Sequence, residues 1–88
     1  MKLNEIFVLR EVAGTWVVLP LKQDTLDING MIRLNGSGAI LWKCLEQGGD
    51  RQALTEALTS RYNVTAEQAS GDVEEFLDML KNAGCLEE

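Results

Sequence analysis

A chain of 88 residues can bury one modest core, which excludes a roomy active site between domains and makes a single domain over residues 1–88 the expectation. Hydrophobic residues make up 45% and charged residues 25%, a balance typical of soluble globular proteins, and no apolar run approaches the ~20 residues needed to span a bilayer. The net charge is −6, and residues 1–5 include an acid and lead into a strand-like pattern rather than a signal-peptide core, so a cytoplasmic location away from membranes is expected.

Ile6-Phe7-Val8-Leu9-Arg10-Glu11-Val12 is dense in β-branched and aromatic residues, Ala13-Gly14 follows as a turn, and Thr15-Trp16-Val17-Val18-Leu19 completes a β-hairpin. Pro20 cannot donate to a ladder and marks a strand end or an edge. Residues 22–27 are polar and loop-like. Asn29-Gly30 is a tight-turn dipeptide that can join a short Leu26-Asp27-Ile28 segment to a third strand, Met31-Ile32-Arg33-Leu34. The period then changes. Asn35 or Ser37 caps a first helix running through residues 39–45, and Gly48-Gly49 ends it. Asp50 caps a second helix with Ala53, Leu54, Ala57, Leu58 and Tyr62 at helical spacing. Thr65 and Gln68 fit a capping box for a third helix over residues 66–83, stopped by Gly84. On its wheel Phe76, Ala69, Leu80, Val73, Ala66 and Leu77 form an apolar stripe, and one flank mixes Met79 with Asp72 and Glu75. The order is β-β-β-α-α-α, an α+β, winged helix-turn-helix-like fold with a small antiparallel sheet against three helices.

The chemistry-bearing residues are few. There is no histidine, so the commonest general base is missing. Cys44 and Cys85 lack the close-spaced partners of a structural zinc site, and two free buried thiols are expected rather than a disulfide. Asn35-Gly36-Ser37-Gly38 lies between a strand and a helix but has neither the Lys-Ser/Thr pair of a phosphate loop nor the third glycine of a dinucleotide fingerprint. Trp16, Trp42 and Tyr62 read as packing residues. No catalytic residue, metal or cofactor is expected. Residues 1–44 carry Lys2, Arg10, Lys22, Arg33 and Lys43 against Glu5, Glu11, Asp24 and Asp27, a net of +1. Residues 45–88 carry Arg51, Arg61 and Lys81 against ten acids, a net of −7. That acidic half is a poor nucleic-acid surface.

Leu9-Arg10-Glu11-Val12-Ala13-Gly14, Trp16-Val17-Val18-Leu19-Pro20, the run from Asn29-Gly30 to Asn35 and Gly38-Ala39-Ile40-Leu41-Trp42 together resemble the PqqD family. Tyr62-Asn63-Val64, Asp72-Val73-Glu74-Glu75-Phe76-Leu77 and Leu80 to Leu86 fit the same pattern, so the resemblance covers nearly the whole chain. It implies a RiPP recognition element, or peptide modification chaperone. Such a domain binds the leader segment of a ribosomally made precursor peptide by strand addition and presents it to a modifying enzyme, often a radical S-adenosylmethionine enzyme. The leader then pairs with the third strand and lies beside the third helix. Carried onto this chain, the implied peptide-binding residues are Met31, Ile32, Arg33, Leu34, Asp72, Glu75, Phe76 and Met79. The chain departs from the pattern at Cys85, where relatives often carry Leu.

Simple physics fits that implied role. An open strand edge offers unpaired N–H and C=O groups to an incoming strand, with specificity left to alternate side chains. The adaptable thioether of Met79 suits a pocket wall, or equally a core edge. Arg33 is either a solvated outer residue or a partner for an acidic leader residue. The wheel leaves open which flank of the third helix faces the groove. The alternative reading is a winged-helix DNA-binding regulator, which needs the third helix in a major groove despite its five acids against Lys81. A scaffold that binds only an enzyme through the same edge is a third. An open edge also permits self-pairing, so monomer and homodimer are both compatible with the sequence.

Overall fold

The computed structural model describes residues 1–20 and 32–87. Among these residues, five strands and three helices follow in the order β1 (Lys2–Leu3), β2 (Phe7–Val12), β3 (Thr15–Pro20), β4 (Ile32–Leu34), α1 (Gly36–Glu46), α2 (Arg51–Arg61), α3 (Ala66–Asn82) and β5 (Leu86–Glu87). The fold is α+β, as expected. The Asn29-Gly30 turn, the 26–28 segment and Met31 lie outside the described residues.

β2, β3 and β4 form one antiparallel sheet with β3 in the middle. The hairpin register sets Val12 opposite Thr15, leaving Ala13 and Gly14 as a two-residue loop. Their φ values are +51° and +80°, the positive pair that a tight hairpin turn following the strand twist requires. Alternation does the rest. Leu9, Val18 and Ile32 share one row, with Trp16 and Leu34 beside it, and all five pack into or against the core. Arg10, Val17 and Arg33 form the intervening row and so point to the other face. Pro20 is the last residue of β3, where its missing donor costs the ladder least.

Each helix starts on a side-chain cap. Asn35 Oδ1 accepts from the Gly38 N–H at 2.8 Å, Asp50 Oδ1 from Ala53 at 2.9 Å and Thr65 Oγ1 from Gln68 at 3.1 Å. Caps of this kind are each worth about 0.5–2 kcal/mol. Asn35 is thus the cap of α1, and it also accepts from the Ser37 hydroxyl. α3 ends in a Schellman turn: Gly84 N–H donates to Lys81 O and Cys85 N–H to Leu80 O. Gly84 has φ +79°, open to glycine at little cost and to other residues at about 1–2 kcal/mol.

The helices bury residues spaced three and four apart: Leu41, Trp42 and Leu45 on α1, Leu54 and Leu58 on α2, and Ala69, Val73, Phe76, Leu77 and Leu80 on α3. The stripe read from the sequence holds except at Ala66, which is exposed at the first position of α3. Trp42 is fully buried. Trp16 is half-buried, with the Lys43 ammonium 4.4 Å from its ring centroid. Tyr62 departs from expectation. It is 41% exposed, because it follows the last turn of α2 with extended backbone and no longer follows the helical period. An exposed Arg51–Glu74 ion pair, 2.8 Å between Nε and Oε2, ties α2 to α3 and contributes at most about 1 kcal/mol.

The additions to the expected order are β1 and β5, a two-stranded antiparallel clasp with Lys2 opposite Glu87 and Leu3 opposite Leu86. Asn4 N–H donates to Cys85 O at 2.7 Å, and Phe7 N–H donates back to Asn4 O. Cys85 and Leu86 are buried in the core, so an apolar side chain suffices at Cys85.

Candidate functional site

β4 is the last strand of its sheet, and among the described residues nothing pairs with its outer side. Leu34 is immediately followed by the Asn35 cap, so the strand edge runs directly into the first turn of α1. Between this junction and α3 lies an open groove of about 450 Å³. Its floor is the core itself, since Leu34, Leu41, Leu58 and Phe76 all line it and are each at most 8% exposed. Its rim carries Arg33 from β4 and Asp72, Glu75 and Met79 from α3, all exposed. A Cβ at Gly38 would stand 3.2 Å from both Leu34 Cβ and Asn35 Oδ1, so a side chain there would crowd the floor and the cap together.

Asp72, Glu75, Phe76 and Met79 meet in this groove because they recur at three- and four-residue spacing, which puts them on one face of α3. The flank mixing acids with a thioether is therefore the one that faces the groove. Six of the eight residues singled out from the sequence line it: Arg33, Leu34, Asp72, Glu75, Phe76 and Met79. Ile32 lies in β4, half-buried against the core. Met31 is outside the described residues. The groove also draws on Asn35, Ser37, Gly38, Leu41 and Leu58, which sequence reasoning treated as caps or core. For the first three a signal existed: a helix that starts one residue after an edge strand must set its first turn at the end of that edge. Leu58 had none, because nothing in its spacing separates it from Leu54.

A second groove, about 440 Å³, lies among the N-terminal segment, the start of β2 and the end of α1, with Leu3, Phe7, Trp42 and Leu45 on its walls. The indole N–H of Trp42 is buried and has no hydrogen-bond partner among the described residues. Such an orphaned donor costs about 1–3 kcal/mol.

Neither cysteine is poised for reaction. Both thiols are free and both are pushed above the usual cysteine value. Burial raises Cys85; burial and then the negative charge of Asp50 raise Cys44. A thiol held neutral is a poor nucleophile. No helix among the described residues is long and apolar enough to cross a membrane.

The chain matches the family described as coenzyme PQQ synthesis protein D over residues 15–86, which takes in β3, β4, all three helices and the turn into β5. Its fold is similar to that of TbiB1 in complex with the TbiA(beta) leader peptide, with a TM-score of 0.80 at 26% identity over 99% of this chain and 95% of that one. It is also similar to a lasso peptide synthetase B1 complexed with the leader peptide, with a TM-score of 0.76 at 21% identity over 96% of this chain and 93% of that one; at that identity the likeness speaks for the fold. No curated protein matches the chain. A strand edge without a partner among the described residues beside a core-floored groove, a fold shared with these two structures and a family match across most of the sequence lead to one conclusion: the chain belongs to the PqqD family.

Proposed function

We propose that residues 1–88 act as one binding domain that holds the leader segment of a ribosomally made precursor peptide by adding it as a strand to β4. It presents the peptide to a separate modifying enzyme, of the radical S-adenosylmethionine kind, in the cytoplasm, and performs no chemistry itself. The observation that carries this reading is the edge of β4, without a partner among the described residues, beside a groove whose floor is apolar and whose rim is largely polar. The family match and the two leader-peptide complexes of the same fold support it. Edge backbone supplies sequence-tolerant hydrogen bonds, and alternate side chains of the added strand reach the groove.

The peptide-binding residues in this reading are Met31, Ile32, Arg33 and Leu34 on the strand side and Asp72, Glu75, Phe76 and Met79 on the helix side. The DNA-binding alternative loses ground on charge. Glu67, Asp72, Glu74, Glu75 and Asp78 are all exposed on α3, and placing them beside phosphates opposes binding.

The test is titration of the protein with a synthetic leader of the precursor encoded beside it, followed by amide chemical shifts. The largest shifts are expected in β4 and along the 72–79 face of α3. Shifts confined to α2, or the absence of binding at micromolar concentration, would overturn the reading.

A further inference from the structure

The groove and the sheet beside it present opposite charges to an incoming strand. Ile32 and Leu34 pack into or against the core, so Arg33 between them projects to the outer face of the sheet. The register sets it in one row with Val17 and Arg10. The remaining outward residues of the sheet are aliphatic or Thr15, so among the described residues this face carries two cations and no acid. Across the groove whose rim Arg33 also borders stand Asp72 and Glu75, on α3. Neither they nor Arg33 are in an ion pair or side-chain hydrogen bond with another described residue. These three charges are therefore available to a ligand.

Accepting the strand-addition reading on which this rests, we infer that the bound segment alternates in charge. Its residue opposite Arg33 is acidic and faces outward. Its neighbours face inward, apolar where they meet Phe76 and Met79 and basic where they meet Asp72 and Glu75. Alternation makes this a register device. A slip of one residue would turn the acid toward Asp72 and Glu75, the base toward Arg33 and the apolar side chain toward water. Backbone pairing alone cannot distinguish these registers, because its N–H and C=O groups are the same at every position. Specificity then falls to three side chains, Arg33, Asp72 and Glu75, which contribute little to the fold and can change without disturbing it.

The effect per pair is modest. Opposite-charge cross-strand neighbours contribute about two- to fivefold in affinity, and exposed pairs weaken as salt rises.

The experiment is selection of a displayed library of random twelve-residue peptides on the immobilised protein, repeated on Arg33→Glu after circular dichroism has shown that variant to be folded. Each enriched peptide is checked by amide shifts of Ile32 to Leu34. The expected result is peptides that move those shifts and carry an acid between inward apolar and basic residues, with lysine replacing the acid in the Arg33→Glu selection. Peptides that bind at β4 with no charge alternation, or that are unchanged between the two selections, overturn the charge inference and leave strand addition standing. Enriched peptides that do not move the β4 shifts overturn strand addition itself, and the charge inference with it.

Discussion

The groove beside β4 and the groove beside β1 differ by about 10 Å³ in volume, yet they offer a peptide different things. The first runs along a strand edge with no partner among the described residues. The second is bordered by the short β1, which pairs with β5, and by β2, the other outer strand of the three-stranded sheet. The first is floored by Leu34, Leu41, Leu58 and Phe76 with charges only at the rim. The second has a buried indole donor that finds no acceptor among the described residues. Size does not separate the two. What does is the lining: the first groove has an apolar floor with Arg33, Asp72, Glu75 and Met79 at its rim, whereas a wall of the second holds an orphaned donor.

The sharpest way to break this comparison is to remove the edge. Successive residues of an antiparallel strand send their N–H groups alternately to one side and the other. Of Ile32→Pro and Arg33→Pro, one therefore deletes a bond to β3 and the other an outward donor. The outward one is expected to lower leader affinity about tenfold or more, from a lost bond and a strand that no longer fits its neighbour. Its circular dichroism should remain native, while the inward one lowers thermal stability. Calorimetric titration of both variants checks this, and unchanged affinity in the folded one would remove β4 from the site.

A smaller effect comes from the rim. Met79→Glu sets a third acid beside Asp72 and Glu75 and should cost about 1–3 kcal/mol of leader binding where that contact is desolvated. The matched change Lys2→Gln on the rim of the second groove, which also shifts the net charge by −1, should leave affinity alone. Equal losses in the two variants would mean that net charge, not the first groove, is being measured.

The smallest effect is expected at Trp42. Replacing it with Phe removes the orphaned indole donor and leaves a small void. The two terms oppose each other, so stability should change by no more than about 1–2 kcal/mol and leader affinity not at all. A folded Trp42→Phe protein with weakened leader binding would show that the second groove takes part.

Much of this geometry is legible in the sequence, and the exceptions have physical reasons. The period of α3 over Ala69, Val73, Phe76 and Leu80 is long and regular, so the buried stripe and the mixed flank beside it could be read directly. Asn35, Asp50 and Thr65 mark helix starts because their side chains satisfy donors that the helix cannot. Which flank faces a groove could not be read from a wheel, since it depends on where β4 and α2 lie. β1 and β5 could not be read either. Two residues are one step of a strand's alternation, too short to display a period, and their pairing joins positions 83 or more apart in the chain. Tyr62 was misplaced because helical spacing was carried one residue past the end of α2.

The β1–β5 clasp has a mechanical consequence. Lys2 sits opposite Glu87 and Leu3 opposite Leu86, so the two chain ends leave the ladder side by side at the Lys2–Glu87 rung. A pull that separates the ends loads that rung first and the next only after it has broken, which is peeling rather than shear. The six-rung β2–β3 ladder and the β4 edge stand behind this two-rung fastening. Tension that separates the two ends is thus taken up at the Lys2–Glu87 and Leu3–Leu86 rungs before it reaches the groove.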